Sequence, residues 1–466
     1  MIDIKQIRKI YFIGIGGIGM SSLARYFKFQ GKSVSGYDKT ETSLTKKLAE
    51  EGIPVHYEDN PEQAPKDVEL VVFTPAVPRD HKELLYYQEH GYTVLKRSDV
   101  LGAITQSSFN ICVAGTHGKT TVSTMIAHIL RDSGYGCNAF LGGIAVNYGS
   151  NFWSSERNVC VVEADEYDRS FLKLSPDIAV ITAMDADHLD IYGNAEAVDE
   201  AFIAFSEKVK PGGVLLSRYG LEKEKELRAS VHMTYSIRYE QADIHAERIR
   251  IEHGVYVFNV VMGSWVLKDI RLNMGGMHNV ENVTAAIGVA HQLSIDAEKI
   301  KKAVSAFRGV KRRFEYIISP SSSAASAARV VFIDDYAHHP EELKALISGA
   351  KGLFPDRKCI LVFQPHLFSR TRDFADGFAS SLDLADEVVL LPIYPARELP
   401  IEGVSSQLIL DKMKKPGKLV LNKQELMEWI KNNVAATGTN ALLITAGAGD
   451  IDAMVEPIRK ILERTN

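Results

Sequence analysis

The fold is decided by the stretch Asn110-Ile-Cys-Val-Ala-Gly-Thr-His-Gly-Lys-Thr-Thr121, in which an apolar strand pattern runs directly into a glycine-rich loop. A helical pattern then continues to Leu130. In such a strand–loop–helix frame, backbone N–H groups cradle phosphate oxygens, a lysine adds positive charge and a threonine hydroxyl can ligate Mg²⁺. The stretch therefore predicts an α/β fold with a nucleotide-phosphate site, although two residues rather than four separate its glycines; the alternative is a chance match. The candidate contacts are Gly115, Thr116, His117, Gly118, Lys119, Thr120 and Thr121.

Short apolar runs alternate with helical patterns on both sides of this loop, which is typical of parallel α/β units. Strands are predicted at 10–15, 33–37, 68–74, 93–96, 110–114, 159–162, 178–183, 330–334, 360–364, 388–392, 418–421 and 441–446. Antiparallel hairpins are predicted over 245–272, a helix over 280–293 and an exposed hairpin loop over 319–328. At about 100–200 residues per domain, 466 residues predict three domains, which we place at 1–107, 108–312 and 313–466.

The composition excludes two classes of function. Lys and Arg number 54 against 59 Asp and Glu, a net charge of −5, so the chain lacks the basic excess typical of nucleic-acid binding. No window approaches the roughly 18 apolar residues of a membrane-spanning helix, and the N-terminus shows no signal-peptide pattern. The four cysteines are scattered without a CxxC pattern, which predicts buried free thiols and a reducing cytoplasm.

A second glycine-rich turn follows the first predicted strand and opens a helix. An acid stands at the end of the next strand, 19 residues after the last glycine. Such glycines let the backbone approach a diphosphate at the helix N-terminus, and the acid can bind a ribose hydroxyl. The pattern predicts a site for a dinucleotide or a nucleotide-sugar diphosphate, and the alternative is a tight turn without a ligand. The candidate contacts are Gly14, Gly16, Gly17, Ile18, Gly19 and Asp38.

Two further predicted strands end in acidic clusters. The first cluster contains Glu163, Asp165 and Glu166, and the second runs from Asp185 to Asp190 and includes His188. The carboxyl ends of strands form the ligand crevice of open α/β sheets, and hard oxygen ligands there suit Mg²⁺ that bridges ATP phosphates. The alternative is a pair of solvated acidic turns.

Two motifs near the predicted helix at 280–293 have weaker signals. His278 and Asn282 carry side chains that can hydrogen-bond a purine edge, while capping of the helix by Asn279 explains the same pattern. The basic cluster Lys311–Arg313 is either a solvated charge run or the source of an arginine that reaches a γ-phosphate.

Two motifs of the third block also follow strands. The pair His338–His339 beside acidic residues suggests a transition-metal site, but no third ligand follows at a recognisable spacing. Arg370 and Arg372 can fork onto the carboxylate of a small substrate. The alternative for these arginines is a salt bridge with Asp373 at the start of a helix.

Together these motifs resemble one family, the Mur ligases, which form amide bonds with ATP in the synthesis of peptidoglycan precursors. The resemblance covers essentially the whole chain. It rests on GIGGIGM (14–20), GTHGKTT (115–121), EADEYDRSFL (163–172), DADHLD (185–190), GMHNVENVTAA (276–286), KRRFE (311–315), DDYAHHPEE (334–342) and QPHLFSRTRD (364–373). GTHGKTT is shared by the whole superfamily. GIGGIGM together with DDYAHHPEE is typical of a much narrower group within it.

The resemblance implies an α/β architecture of three domains. An N-terminal Rossmann-like domain binds a UDP-sugar, a central ATPase-like domain with a mixed sheet binds ATP, and a C-terminal Rossmann-like domain brings an amino acid. Lys119 is implied to hold the terminal phosphates. One Mg²⁺ is implied at Thr120 and Glu163, and a second at His188.

Further roles are implied for residues after 270. His278 and Asn282 match positions on the adenine side, Asp335 matches a ribose contact, and Arg313 matches an arginine near the reacting phosphates. The amino-acid substrate is expected at His338, His366 and Arg370.

The implied activity is ATP-dependent ligation of L-alanine to the lactyl carboxylate of UDP-N-acetylmuramate. It proceeds through an acyl phosphate, gives ADP and phosphate, and is expected in a cytoplasmic monomer or weak homo-oligomer. One alternative is a recycling ligase that attaches a tripeptide to the same UDP-sugar, because it shares most of these motifs. A nicotinamide-dependent oxidoreductase is suggested by GIGGIG alone but leaves GTHGKTT unexplained, and the last alternative is a nucleotide-switch protein without a synthetic reaction.

The sequence departs from the family pattern at two places. Several relatives use a carbamylated lysine about 15 residues after the position of His188, and the segment 194–205 contains no lysine, as in the L-alanine-adding member. Leu367 stands where that member has an arginine after QPH, which bears on how the amino-acid carboxylate is recognised.

Overall fold

The computed structural model describes residues 4–185, 189–319, 329–396, 398–436 and 440–463. Over these residues the fold is α/β, with three sheets of five, ten and six strands, which confirms the predicted fold class. The chain divides into two compact units. The first is made of Met1–Glu247, Val260–Lys268 and Glu281–Val304, and the second of Arg248–Asn259, Asp269–Val280 and Ser305–Asn466. Among the described helices, none is long and apolar enough to cross a membrane.

The five-stranded sheet is parallel, in the order β3-β2-β1-β4-β5. Its elements are β1 (Lys9–Ile13), α1 (Ile18–Phe29), β2 (Ser33–Tyr37), α2 (Ser43–Glu50), β3 (Val55–His56), β4 (Leu70–Phe73), α3 (Lys82–Glu89), β5 (Val94–Lys96) and α4 (Arg97–Gln106). Strand β1 is apolar on both faces because helices cover both: Phe12 packs on Phe27 of α1, and Tyr11 packs on Tyr87 of α3. The strand order reverses between β1 and β4, so the turn after β1 lies where open α/β sheets bind ligands.

The ten-stranded sheet carries the phosphate loop. Its elements are β6 (Phe109–Ala114), α5 (Lys119–Asp132), β7 (Asn138–Ala145), β8 (Ser150–Trp153), β9 (Val159–Glu163), β10 (Ile178–Ile181), α6 (Leu189–Tyr192), α7 (Ala195–Ser206), β11 (Val214–Arg218), β12 (Val231–Ser236), β13 (Ile244–Glu252), β14 (Val255–Met262), β15 (Trp265–Leu272), α8 (Met277–Gln292) and α9 (Ala297–Ala306). In the first unit its order is β12-β11-β10-β6-β9-β7-β8. Strand β6 is paired in parallel with β10 and β9, so the loop after β6 and the acids after β9 share one sheet edge.

The six-stranded sheet lies in the second unit, in the order β16-β17-β21-β18-β19-β20. Its elements are β16 (Glu315–Ile318), β17 (Val330–Asp335), α10 (Pro340–Leu353), β18 (Lys358–Phe363), α11 (Phe368–Asp373), α12 (Ala375–Leu382), β19 (Glu387–Leu390), α13 (Ser406–Lys412), β20 (Lys418–Val420), α14 (Lys423–Ile430), β21 (Ala441–Ala446) and α15 (Asp452–Glu463). Strand β21 is paired in parallel with both β17 and β18. The carboxyl ends of β17 and β18 therefore lie on the same edge of this sheet.

Several secondary-structure elements match the sequence predictions, and others differ from them. The strands Ser33–Tyr37 and Ala441–Ala446 have the predicted bounds, and three consecutive strands, β13 to β15, occupy the predicted hairpin region. Helix α8 begins at Met277 rather than at 280, so Asn279 lies inside the helix and the capping explanation is wrong; its Nδ2 donates to the Gly275 carbonyl at 2.6 Å. The hairpin of β7 and β8 was not predicted. Most of the predicted loop at 319–328, namely 320–328, lies outside the described residues.

Candidate active site

The glycine-rich turn after β1 is held against the end of β2. The N–H groups of Gly14 and Ile15 donate to the Tyr37 carbonyl at 2.8 and 2.9 Å. The N–H of Gly16 donates to Asp38 Oδ2 at 2.7 Å, and a Cβ on Gly16 would lie 2.7 Å from the same oxygen. Glycine at this position is therefore a steric requirement. Asp38, predicted to bind a ribose, shapes the turn with one carboxylate oxygen, and its ribose contact stays a prediction.

The phosphate loop between β6 and α5 has a preformed shape. Gly115 and Gly118 have φ angles of +133° and +83°, a region that favours glycine, and a Cβ on Gly115 would lie 2.1 Å from Thr182 Oγ1. The Thr182 hydroxyl donates to the carbonyl of His117, and the N–H of Asp185 donates to Thr116 Oγ1 at 3.2 Å. Residues that follow β10 thus hold the loop in place. The loop lies at the N-terminus of the 14-residue helix α5, and a helix N-terminus is a favourable place for an anion.

Lys119 is held at both sides of its ammonium group. Its Nζ donates to the Gly115 carbonyl and to Glu166 Oε1, each at 2.7 Å. Glu166 is almost fully buried, with 1% of its side chain exposed. The ion pair fixes the predicted phosphate-binding lysine over its own loop. The sequence motif contained Glu166 but did not predict this pairing.

Glu163 ends β9 and faces the first residues of α5. Thr120 Oγ1 donates to Glu163 Oε1 at 2.9 Å, and the N–H of Gly142 on β7 donates to Glu163 Oε2 at 2.8 Å. Burial raises the pKa of Glu163, while the charge of Lys119 opposes that shift. A hydroxyl and a half-buried carboxylate, both hard oxygen donors of the kind that Mg²⁺ prefers, therefore converge here, and the Mg²⁺ contact itself stays a prediction.

The other predicted metal ligand is His188. His188 lies outside the described residues. Within the described ranges, no group of three or more His, Cys, Asp or Glu side chains is arranged to hold a metal ion. The transition-metal interpretation of His338 and His339 therefore gains no support, and the second Mg²⁺ ligand stays a prediction.

A cavity of about 380 Å³ lies between the glycine-rich turn and Glu163. Its wall is formed by the end of the turn, the first half of α1, the segment after β4, residues of α4, the middle of β7 and the end of β9. The residues that matter for its chemistry are Gly17, Gly19, Arg97, Gly142, Glu163 and Asp165. The predicted diphosphate turn and the predicted metal ligand thus open onto one cavity within the first unit.

The remaining loop contacts differ in exposure. His117 is mostly exposed, and its Nε2 is 4.0 Å from Asp185 Oδ2. Thr121 is buried in α5. Asn282 is buried and lies beside the phosphate loop. A Cβ on Gly118 would be only 3.0 Å from Asn282 Oδ1. His278 is an exposed residue of the second unit and lies against Gly276.

The end of β17 in the second unit carries two acids, of which Asp334 is buried and Asp335 is partly buried. Asp335 accepts hydrogen bonds from the N–H groups of Phe314 and Ala337 at 2.6 and 2.7 Å, and burial raises its pKa. Burial also raises the pKa of Asp334 to about 6, although Arg312 Nε donates to this carboxylate at 3.2 Å. Arg312 therefore holds the end of β17 in place. Arg313 is exposed, and its role near the reacting phosphates stays a prediction.

Three of the residues predicted for the amino acid come together at the ends of β17 and β18. Arg370 Nη1 is 3.4 Å from His366 Nδ1, and the rings of His338 and His366 have centroids 6.3 Å apart. Burial lowers the pKa of both histidines, and the charge of Arg370 adds to the effect. Tyr394, which the motifs did not indicate, stacks on His366 with centroids 5.8 Å apart.

Arg372 and Leu367 behave differently from their neighbours. Arg372 is half exposed, and its Nε donates to Asp373 at 2.8 Å, the geometry of the alternative salt bridge. Leu367 has a φ of +70°, in the left-handed region that favours glycine, and its N–H donates to the Tyr394 carbonyl at 2.9 Å. Next to it, Glu398 accepts a hydrogen bond from the Ser369 N–H at 2.9 Å. No motif signals the loop that carries Tyr394 and Glu398.

Three family models match consecutive parts of the chain: "Mur ligase family, catalytic domain" over 9–108, "Mur ligase middle domain" over 113–290 and "Mur ligase, glutamate ligase domain" over 312–449. The chain belongs to the Mur ligase family, and the resemblance is confirmed.

Individual relatives are similar over their full length. The chain is 49% identical over 464 residues to the UDP-N-acetylmuramate–L-alanine ligase of Flavobacterium johnsoniae, covering 99% of both chains. It is 48% identical over 468 residues to the enzyme of the same name from Parabacteroides distasonis, covering 99% of this chain and 98% of the other. A solved UDP-N-acetylmuramate-alanine ligase from Thermotoga maritima is 28% identical, with a TM-score of 0.80 over 98% of this chain and 100% of that chain.

Proposed function

We propose that this protein is an ATP-dependent ligase that joins L-alanine to the lactyl carboxylate of UDP-N-acetylmuramate, with ADP and phosphate as products. One observation carries the proposal: the glycine-rich turn at α1 and Glu163, which accepts a hydrogen bond from Thr120 next to Lys119, border a single cavity. A nucleotide-sugar diphosphate and the terminal phosphates of ATP can therefore meet in one unit. The choice of L-alanine rests on the full-length relatives at 49 and 48% identity.

The chemistry explains why both nucleotides are needed. An amine cannot displace an oxide from a carboxylate, because the leaving group is too basic. Transfer of the γ-phosphoryl group to a carboxylate oxygen gives an acyl phosphate and ADP. The amine of L-alanine then attacks the carbonyl carbon and loses a proton, and phosphate leaves with the C–O bond electrons. No side-chain nucleophile is required, so catalysis consists of positioning and charge neutralisation.

The residues of the first unit suit the phosphoryl-transfer step. The loop amides and Lys119 hold the terminal phosphates, and this requires Lys119 to exchange its contact with Glu166 for a phosphate oxygen. Thr120 and Glu163 would hold Mg²⁺, which supplies charge neutralisation at the phosphates. The catalytic roles of Lys119, Glu163 and Arg313 belong to this proposal.

The residues of the second unit suit the amine. The lowered pKa values of His338 and His366 keep the imidazoles neutral at pH 7, so one of them can accept the proton that the ammonium group of L-alanine must lose. Arg370 can bind the amino-acid carboxylate in a bidentate fork. We propose the domain roles in the same sense: 1–107 for the UDP-sugar, 108–312 for ATP and 313–466 for the amino acid. The four cysteines are free and buried, which supports a cytoplasmic location.

The test is phosphate release at fixed ATP, Mg²⁺ and UDP-N-acetylmuramate with L-alanine, glycine, L-serine or the tripeptide as the amine. We expect L-alanine to give the highest kcat/KM and the tripeptide to give no release above the amine-free control. Faster turnover with the tripeptide would make the recycling ligase the correct assignment. Release that does not depend on any amine would favour a nucleotide switch.

A further inference from the structure

Arg97 occupies a position in the cavity that none of the recognised motifs explains. It is the first residue of α4, and about a quarter of its side chain (24%) is exposed. Among the described residues that line the cavity it is the only cation, and the two other charged residues of the lining are Glu163 and Asp165. The wall therefore has a net negative charge without a ligand.

The guanidinium group lies between the two ends of the cavity. On one side, a Cβ on Gly19 would lie 2.7 Å from Arg97 Nη1, so the group packs directly on the first turn of α1. On the other side, Nη2 is 3.7 Å from Asp165 Oδ2, which is longer than a hydrogen bond. Arg97 thus retains N–H donors that can bind an anion in the cavity, and Asp165 balances its charge.

The substrate of the proposed reaction brings several negative charges to this wall. UDP-N-acetylmuramate carries a diphosphate and a lactyl carboxylate, and Arg97 is the only cationic side chain among the described residues of the lining that can bind either group. We infer that Arg97 binds an oxyanion of the UDP-sugar, either the diphosphate or the lactyl carboxylate. This inference rests on the proposed function. A guanidinium suits both anions because its planar fork donates two parallel hydrogen bonds.

The test is calorimetric titration of Arg97→Met and Arg97→Lys with UDP-N-acetylmuramate and with UDP-N-acetylglucosamine, which has the same diphosphate but no lactyl group. Arg97→Met should weaken binding of UDP-N-acetylmuramate by about 30-fold or more. Arg97→Lys should weaken it to a smaller extent, because one charge remains without the fork. An equal loss for both sugars assigns Arg97 to the diphosphate, and a loss confined to UDP-N-acetylmuramate assigns it to the carboxylate.

Lys173→Met is the matched control. Asp99 lies on α4, as Arg97 does, and Lys173 Nζ donates to its Oδ1 at 2.5 Å. Lys173→Met therefore removes a nearby cation that does not line the cavity. It should leave UDP-sugar binding unchanged, and ATP binding should be unchanged in every variant. Wild-type affinity for UDP-N-acetylmuramate in folded Arg97→Met overturns the inference. If Arg97→Met does not fold, unchanged affinity in Arg97→Lys overturns it. Failure of the wild-type protein to bind either UDP-sugar would instead contradict the proposed function.

Discussion

Gly142→Ala is a small change with a large expected effect on catalysis. A Cβ at position 142 would lie 2.4 Å from both carboxylate oxygens of Glu163, whereas ordinary contacts begin near 3.4 Å. The carboxylate must therefore retreat by about 1 Å, and it loses the 2.8 Å hydrogen bond from the residue 142 N–H. The cavity beside Glu163 gives the carboxylate room to move, so we expect the fold to be retained.

The magnitude follows from the displacement. A misplacement of about 1 Å at a catalytic group can reduce turnover by about 100-fold, which corresponds to about 2.7 kcal/mol of activation free energy. Since Glu163 is proposed to hold Mg²⁺ with Thr120, the apparent Mg²⁺ requirement should rise as well. The affinity for UDP-N-acetylmuramate should change much less than kcat.

The assay is steady-state phosphate release with Mg²⁺ as the varied component. Gly352→Ala is the matched control, because Gly352 lies in α10 and a Cβ there would meet nothing within 4 Å. The control should behave as the wild type. If Gly142→Ala kept the wild-type kcat and Mg²⁺ dependence within about twofold, placement of Glu163 by this contact would not matter for catalysis.

Three further changes test other parts of the molecule. Lys119→Met should abolish ATP-dependent ligation and leave UDP-sugar binding nearly intact; loss of both in a folded variant would contradict the separation of the two phosphate sites. Arg370→Lys should raise the KM for L-alanine by about 30-fold, or 2 kcal/mol, because lysine lacks the bidentate fork, and it should change the KM for ATP little. An unchanged KM for L-alanine would contradict the proposed binding of its carboxylate by Arg370. Glu83→Gln concerns stability: burial raises the pKa of Glu83 from 4.5 to about 7, so the native state keeps a proton that the unfolded state has lost. The free energy of unfolding should therefore fall by up to about 3 kcal/mol as pH rises from 4.5 to 7 in the wild type, and denaturant titrations of Glu83→Gln should lack this part of the slope.

Some of the site could be predicted because it follows from local rules. Thr120 and Glu163 converge because β6 and β9 are neighbouring parallel strands. The sequence already indicated which polar side chains follow each of these strands. Arg370 and Arg372 are two residues apart in a helix and cannot face the same side, so the structure brings only Arg370 to His366. The motif alone had assigned both arginines to the amino-acid carboxylate, without regard to the side of the helix that each one faces.

Other parts of the site depend on contacts that no spacing rule describes. Gly142 reaches Glu163 through an unpredicted hairpin, and Glu166 lies 47 residues from the Lys119 that it holds. Arg97 belongs to no motif and is recognised only by its place in the cavity. Asp38 was recognisable from its pattern, and the structure adds that its carboxylate accepts a hydrogen bond from Gly16 of the turn, while its ribose contact stays a prediction.

The most direct test of the account is to follow the carboxylate oxygen. UDP-N-acetylmuramate labelled with ¹⁸O in both lactyl carboxylate oxygens is ligated to L-alanine, and the released phosphate is analysed by mass spectrometry. Formation of an acyl phosphate predicts one ¹⁸O atom in each phosphate, because the carboxylate oxygen that accepts the phosphoryl group leaves with it. Unlabelled phosphate, with the amide product formed, would contradict activation of the carboxylate by phosphorylation.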